Sequence, residues 1–588
     1  MTKPTSTKLT TILDYRILAL FALGTLAISF FVSKTFWAAD DFVFMQGFQS
    51  KNLSWQLLTS SYDQHVVPFF ILTWWIVNQL AKGNYLWAQI IIISGFILLQ
   101  YSFYKLIEQF SISKKQKVFL LTIFISSSIV NNNFIWWAAF LSSALPLICV
   151  INFFTFAIKY KRTCSNKHLV ISILFYIVAT LFFEKMAIYS FLAIIYLLFF
   201  ENYKLSLSNA NLTIKKCKYL FIGIIIWTAL IVLNYLNSGS IDQVSAPTSP
   251  YKILIYIKLV FTKYFTPRIF GLSSNSFTIL NDTAILQIFS ITVIAIAIAL
   301  CFKYGKFYTL ALGIFLAFTI ANESITAYGR LSDLGYRLGN EIRYHLDSYL
   351  VFILFLMAIL QYVNKNNLSL TKSDKYVSLI SIATLIIVLL NIYAMNQITK
   401  SSVSYQTKLF YNNLKQFDNT EIVETKINEK YVYYKKYPYN SLHNIQNILK
   451  LNIQTVDIGN NLLLPTGKVG EINEVEKLGT LPFLTEEKCS ENSVLTVVNY
   501  IAEPSEYITF MSKNNLENLV FINATDEFGN SKNYLFTKQK SKEKTFAFTS
   551  LYLYEKGTLN ITFHFEENTD ACIEKINLIK RIEYNAKI

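Results

Sequence analysis

Apolar runs near the length of a bilayer crossing recur along the first two thirds of the chain and stop at about residue 396. They fall near residues 17–36, 85–107, 117–130, 134–158, 169–183, 186–200, 219–236, 284–302, 307–322, 346–363 and 377–395, each bounded by polar residues. About 20 consecutive apolar residues cross a hydrocarbon core, so the pattern predicts about 11 transmembrane helices. The run 66–81 (VVPFFILTWWIVNQLA) is shorter and starts near Pro68, a residue suited to a first helical turn. It is expected to be re-entrant or interfacial rather than a crossing. After residue 396 the chain turns rich in Asn, Lys, Glu and Tyr, with mixed, helix-compatible patterning over 401–454. Short alternating stretches at 494–500, 519–522, 534–537, 546–553 and 558–565 follow, and these predict strands of a β-sandwich. The expected fold class is therefore an all-α polytopic membrane domain, residues 1–396, with re-entrant or interfacial helices beside the spans. A β-rich exported domain, residues 397–588, completes it.

Charge orients this plan. Of the 588 residues 53% are hydrophobic and 15% charged, and the formal net charge is +16. Such a balance suits nucleic acid as well as membranes, but the cations fall in short loops between spans, as membrane topology requires, so nucleic acid is set aside. With 66–81 not crossing, one side receives Lys3, Lys8 and Arg16, then Lys114, Lys115 and Lys117, Lys159, Lys161 and Arg162, Lys215, Lys216 and Lys218, Lys303 and Lys306, and Lys365, Lys372 and Lys375. If 66–81 crossed, every cluster but the first would be exported. The positive-inside rule thus predicts a cytoplasmic N-terminus, an odd number of crossings and an extracytoplasmic C-terminal domain. No small-residue cleavage site follows the first run, which is expected to stay as a helix. Among the six cysteines, Cys489 and Cys572 alone lie in the exported part, where they form a disulfide or remain two thiols. Bias toward Ile, Lys, Asn and Phe points to an AT-rich bacterial genome and hence to a bacterial plasma membrane.

Acids beside hydrocarbon need a reason, and Asp40 and Asp41 stand where the first run leaves the bilayer, ahead of a loop with Asp63 and His65. On the same side, cations break the orienting trend. Glu184 and Lys185 share a tight turn (FFEK), where a local ion pair is the plain reading. Arg330, Arg337 and Arg343 occupy one loop ending IRYH, together with Asp333, Glu341 and Asp347. A guanidinium stays ionised and forks onto phosphate oxygens, so a lipid phosphate suits these arginines, with ordinary pairing to the nearby acids as the alternative. Residues 251–268 carry Lys252, Lys258, Lys263 and Arg268 among apolar residues, and read as an interfacial helix against anionic head groups. The spans themselves read as free of Asp, Glu, Lys and Arg at mid-depth, which disfavours ion-coupled transport. Thr466, Gly467 and Lys468 lack the first glycine of a phosphate-binding loop, no GxGxxG follows a strand, and the five histidines form no HExxH or dense metal box.

Acids after the first span (AADDF), the HVVP entry to the next apolar segment, the FFEK turn, the IRYH before a late span and the C-terminal exported domain together resemble the C-type glycosyltransferases. These are integral membrane enzymes that take sugars from polyprenyl-phosphate carriers. The resemblance covers the plan of the whole membrane region, although Asp-Asp stands where Asp-Glu or Glu-Asp is frequent and a single His where it is doubled. It implies an inverting membrane glycosyltransferase acting on the outer face, with a glycan, lipid or protein acceptor and membrane lipids as surroundings. A sugar hydroxyl is a poor nucleophile, and a carboxylate that accepts its proton supplies general-base catalysis. Adjacent helical residues point about 100° apart, so one acid is expected at the substrate and the other as a helix cap. Asp41 is taken as the base and Asp40 as the cap. Arg343, Arg337, Arg330 and Lys185 are expected at the donor phosphate, and His65, Glu184 and Tyr344 at positioning the substrates. These motifs require no cofactor, and a divalent metal stays open. The alternatives are a flippase, polymerase or ligase of lipid-linked glycans, or a membrane-anchored binding protein.

Overall fold

The computed structural model describes residues 14–49, 52–60, 65–200, 207–237, 248–272, 283–366 and 374–416, then residue 451 and the backbone of thirteen short strands. The chain divides into two compact units, Met1–Gln406 and Thr407–Ile588. Asp63 lies outside the described residues.

The first unit is helical. Among the described residues, eight helices are long and apolar enough to cross a membrane: Tyr15–Val32, Tyr85–Ile107, Trp137–Thr163, Ser208–Leu236, Ala284–Lys303, Lys306–Ser332, Ile342–Lys365 and Ile380–Ser401. These match eight of the eleven expected runs. The other three are shorter. The run at 117–130 breaks at Ser127, whose extended backbone separates Lys114–Ser126 from Ser128–Asn131 and whose hydroxyl caps the second piece. The run at 169–183 forms the 17-residue helix Asn166–Phe182, and that at 186–200 splits into Glu184–Ile188, Tyr189–Ile195 and the wide turn Tyr196–Phe200. The 66–81 run is a 14-residue helix, Pro68–Ala81, opened by proline and closed by Lys82 in the left-handed region.

Two expectations need correction. The helix from Lys306 runs on to Leu334, about three turns beyond the expected end at 322, so Glu323 lies inside a candidate span. Asn322, Glu323 and Ser324 look like a polar boundary in the sequence, yet Asn322 and Glu323 are fully buried and hydrogen-bonded to neighbouring helices. The 251–268 segment is also more than a surface helix. It forms Pro250–Leu259, the wide turn Val260–Tyr264 and Phe265–Ile269, with Lys252 and Lys258 exposed but Tyr256, Tyr264 and Arg268 turned inward and buried.

In the second unit, Ser531–Tyr534, Leu519–Asp526, Gly557–Phe565 and Val494–Ala502 lie in that order in one antiparallel sheet. Thr545–Thr549, Tyr507–Ser512, Cys572–Ile582 and Val475–Thr480 form another. The two-residue strand Lys488–Cys489 pairs with the start of Cys572–Ile582, and the register sets Cys489 opposite Cys572.

Candidate functional site

The acidic doublet opens a helix. After Val32 the chain turns at Ser33 and Lys34, runs irregularly from Thr35 through Ala38, passes through Ala39 at φ +52°, and enters Asp40–Gln49 with both acids in the first turn. Carboxylates there face the positive end of the helix dipole. A left-handed alanine costs about 1 kcal/mol or more, and strain of this kind persists only where the surroundings fix it. What fixes it is an aromatic wall. Trp37, Trp74 and Trp137 meet with ring centroids 5.8–6.2 Å apart, and Tyr85 meets Trp37 at 4.9 Å. The Trp37 indole N–H also donates to Gly83 O at 2.9 Å.

The two acids have different surroundings. Asp41 is fully buried, and its Oδ2 accepts the Ala38 amide at 2.9 Å while Oδ1 is buried with no donor in hydrogen-bonding geometry. Burial, reinforced by the neighbouring Asp40, pushes the Asp41 carboxyl well above the usual carboxylate range. The Ala38 amide, and more weakly Ala138 and Trp136, oppose this. Asp40 is partly exposed.

Trp136 joins the doublet to the late arginine. Its indole N–H donates to Ala38 O at 3.3 Å, and its ring carries the Arg343 guanidinium 4.6 Å from its centroid. Arg343 lies in the short helical turn Ile342–His345, 5.0 Å from the Tyr344 ring, and Asp40 acts on its charge. Glu341 stands 3.9 Å from Arg343 Nε, and that nitrogen makes no hydrogen bond. Arg343 Nη2 donates to Tyr344 OH at 3.4 Å, and the other N–H groups of a guanidinium lying on an indole point to the ring edge, where an anion can meet them.

The FFEK turn does not form the local pair read from the sequence. Glu184 Oε1 meets His65 Nδ1 at 2.5 Å, and Lys185 Nζ meets Asp347 Oδ2 at 3.2 Å and Thr326 Oγ1 at 3.1 Å. Asp347 also accepts from Tyr189 OH at 3.0 Å. The turn thereby ties the His65 segment to the start of the Ile342–Lys365 span. Lys185 is held in a largely buried ion pair instead of standing open to a ligand. Arg330 is partly exposed, and it and Glu184 both act on Tyr235. Arg337 lies on the turn Gly335–Asn340, and its side chain is outside the described residues. Among the described residues, no three His, Cys, Asp or Glu side chains gather to hold a metal ion.

Trp136, Glu323 and His345 escaped the sequence reading. The tryptophan pair after Asn131–Asn133 was the only local signal for the first. Glu323 was hidden by its resemblance to a helix end.

No family model matches the chain, and neither does any curated protein. The fold is similar to the archaeal oligosaccharyltransferase AglB from Archaeoglobus fulgidus, solved with an inhibitory peptide and a dolichol-phosphate, at TM-score 0.36 and 12% identity over 75% of this chain. It is also similar to the arabinosyltransferase EmbB from Mycobacterium smegmatis, at TM-score 0.33 and 9% identity over 99% of this chain. The chain spans 64% of the first and 66% of the second, just under two thirds of each.

Proposed function

We propose that this multi-pass membrane protein transfers a sugar from a polyprenyl-phosphate donor to an acceptor hydroxyl at the outer face of a bacterial plasma membrane. The observation that carries this reading is Trp136, a single indole whose N–H holds the Ala38 carbonyl just ahead of the acidic doublet and whose face carries the Arg343 guanidinium. A proton acceptor and an anion ligand thus meet at one place, as a transfer with a phosphate leaving group requires.

Asp40 is the better placed base, because it is partly exposed while Asp41 is enclosed and holds the strained turn through Ala38. In this reading the acceptor oxygen attacks the anomeric carbon and its proton passes to Asp40. The bond from that carbon to the phosphate oxygen breaks, and its electron pair leaves with the lipid phosphate. Attack opposite the leaving group inverts the carbon. Arg343 stabilises the charge growing on the phosphate, and Arg337 and Arg330 supply further positive charge from the same outer segment. Lys185 acts by fixing Asp347, and His65 with Glu184 borders the acceptor side next to the FFEK turn. The positive-inside loops support an outside position for the second unit, and the strand register that sets Cys489 opposite Cys572 supports a disulfide between them there.

One observation favours the runner-up, a carrier of lipid-linked glycans: Glu323 and His345 are ionisable groups at a candidate span. Both are fully buried, however, and their partners are protein groups, so they line no aqueous path among the described residues. The test is release of polyprenyl phosphate from labelled polyprenyl-phosphate sugars by protein in lipid nanodiscs, offered a panel of glycan, lipid and peptide acceptors. Transfer by wild type, lost in Asp40→Asn and in Arg343→Lys, is expected. Transbilayer movement of donor with no release of lipid phosphate would select the carrier instead.

A further inference from the structure

We infer that Glu323 and His345 form a latch that seats Arg343 on Trp136, which makes both positioning residues for the donor phosphate. The inference rests on the reading of Arg343 given above. Glu323 and His345 are 0% exposed. Glu323 Oε1 meets His345 Nδ1 and Ser348 Oγ, each at 3.1 Å, and Asn322 Nδ2 at 3.4 Å, while Oε2 accepts from Tyr256 OH at 3.2 Å. His345 Nε2 faces Gly339 O at 3.0 Å.

Counting protons fixes the charge of this cluster. A carbonyl oxygen only accepts, so Nε2 carries a hydrogen. The contact between Nδ1 and Oε1 needs one more, and whichever atom holds it the pair has no net charge. A neutral, fully partnered pair can be buried among candidate spans, whereas either member alone would leave an unmatched group there.

The pair acts on the outer segment through Gly339. The carbonyl that receives His345 Nε2 also receives Arg268 Nη1 at 2.7 Å, and Arg268 Nη2 reaches Asn340 O at 3.3 Å and Oδ1 at 3.4 Å. Gly339 is pressed on the Tyr264 ring so closely that no Cβ would fit. Both ends of the stretch are therefore pinned, at Gly339–Asn340 and at His345, and Arg343 lies among the four residues between. With the backbone held, the guanidinium meets the indole in one arrangement. Without the latch the stretch keeps its Arg268 anchor at Gly339 and Asn340 but loses its hold at His345, and Arg343 shifts from its seat before any catalytic atom is touched.

The full-length protein in nanodiscs tests this by two readouts, hydrogen–deuterium exchange over residues 335–345 and the donor KM measured apart from kcat. Glu323→Ala is expected to raise exchange in that segment and the donor KM, each about tenfold, with kcat within about threefold of wild type. In Glu323→Gln the amide nitrogen in the place of Oε1 can donate to a neutral imidazole and to Ser348 Oγ while the amide oxygen still accepts from Tyr256 OH, and the variant is expected to stay within about threefold of wild type in both readouts. Should Glu323→Ala fail to fold, Tyr256→Phe removes one bond to Oε2, and exchange and KM are expected to rise together by a smaller factor. Unchanged exchange over 335–345 in a folded Glu323→Ala or Tyr256→Phe overturns the latch, as does a Glu323→Gln as damaged as Glu323→Ala. Faster exchange in Glu323→Ala, from a protein whose wild type releases no polyprenyl phosphate, keeps the latch and discards the transfer reading.

Discussion

Asp40 and Asp41 differ by one position and by nearly everything around them, and replacing each with asparagine separates base from scaffold. Loss of a general base lowers turnover about 10²–10⁴-fold, or about 3–5 kcal/mol of transition-state stabilisation. Asp40→Asn is expected to show that loss. Asp41→Asn keeps an oxygen to accept the Ala38 amide and removes a carboxyl whose burial is unfavourable when charged, so its turnover is expected to stay within about tenfold of wild type. The two also diverge in stability against pH. The folded protein holds the Asp41 proton more tightly than the unfolded chain does, because burial raises its pKa. Stability from this group is complete below the unfolded value of about 3.9 and is lost as pH rises toward the raised folded value. Asparagine does not titrate, so Asp41→Asn should melt progressively higher relative to wild type as pH rises through that window. The assays are initial rates of polyprenyl-phosphate release and detergent-phase melting over a pH series. An Asp40→Asn enzyme within about threefold of wild type, or a folded Asp41→Asn as inactive as Asp40→Asn, would refute the assignment.

Trp136→Leu removes the indole bond to Ala38 O and the face under Arg343, together about 1–3 kcal/mol, so kcat/KM should fall about 5–200-fold and Trp136→Phe should recover the part due to the ring face. Equal kinetics in Trp136→Leu and wild type would remove the junction. Lys185→Met leaves Asp347 without its cation in a largely buried site and should destabilise the protein by about 3–5 kcal/mol, read as a lower melting temperature. Pairing it with Asp347→Leu should restore part of that loss. Digestion without reductant should yield one linked peptide pair containing Cys489 and Cys572, and two alkylatable thiols would argue against an oxidising location for the second unit.

The FFEK turn shows where local reading ends. Glu184 and Lys185 are neighbours in sequence and opposite in charge, which makes a mutual pair the natural expectation. Yet Glu184 binds His65, 119 positions away, and Lys185 binds Asp347, 162 positions away. A short helical turn points consecutive side chains in different directions, so each meets whatever the surrounding helices bring. The same cause separates Asp40 from Asp41. Arg268 shows the complementary error: its cation, like those of Lys252 and Lys258, read as a head-group contact, but it is turned inward and holds Gly339 and Asn340.

Hydropathy and charge are additive along a chain, which is why the sequence by itself determined eight of the spans, the short Pro68–Ala81 helix, the change of character near residue 396 and the positions of the acids and arginines. Runs of apolar side chains partition by their own transfer free energies, whatever their neighbours turn out to be. Partnership has no such additivity. That Trp136 joins the doublet to Arg343, that Glu323 is buried against His345 and not at a helix end, and that Asp41 is enclosed while Asp40 stands partly open were decided only by the tertiary structure. Each depends on side chains far apart in the chain meeting within about 3–5 Å, where hydrogen bonds and cation–π contacts act.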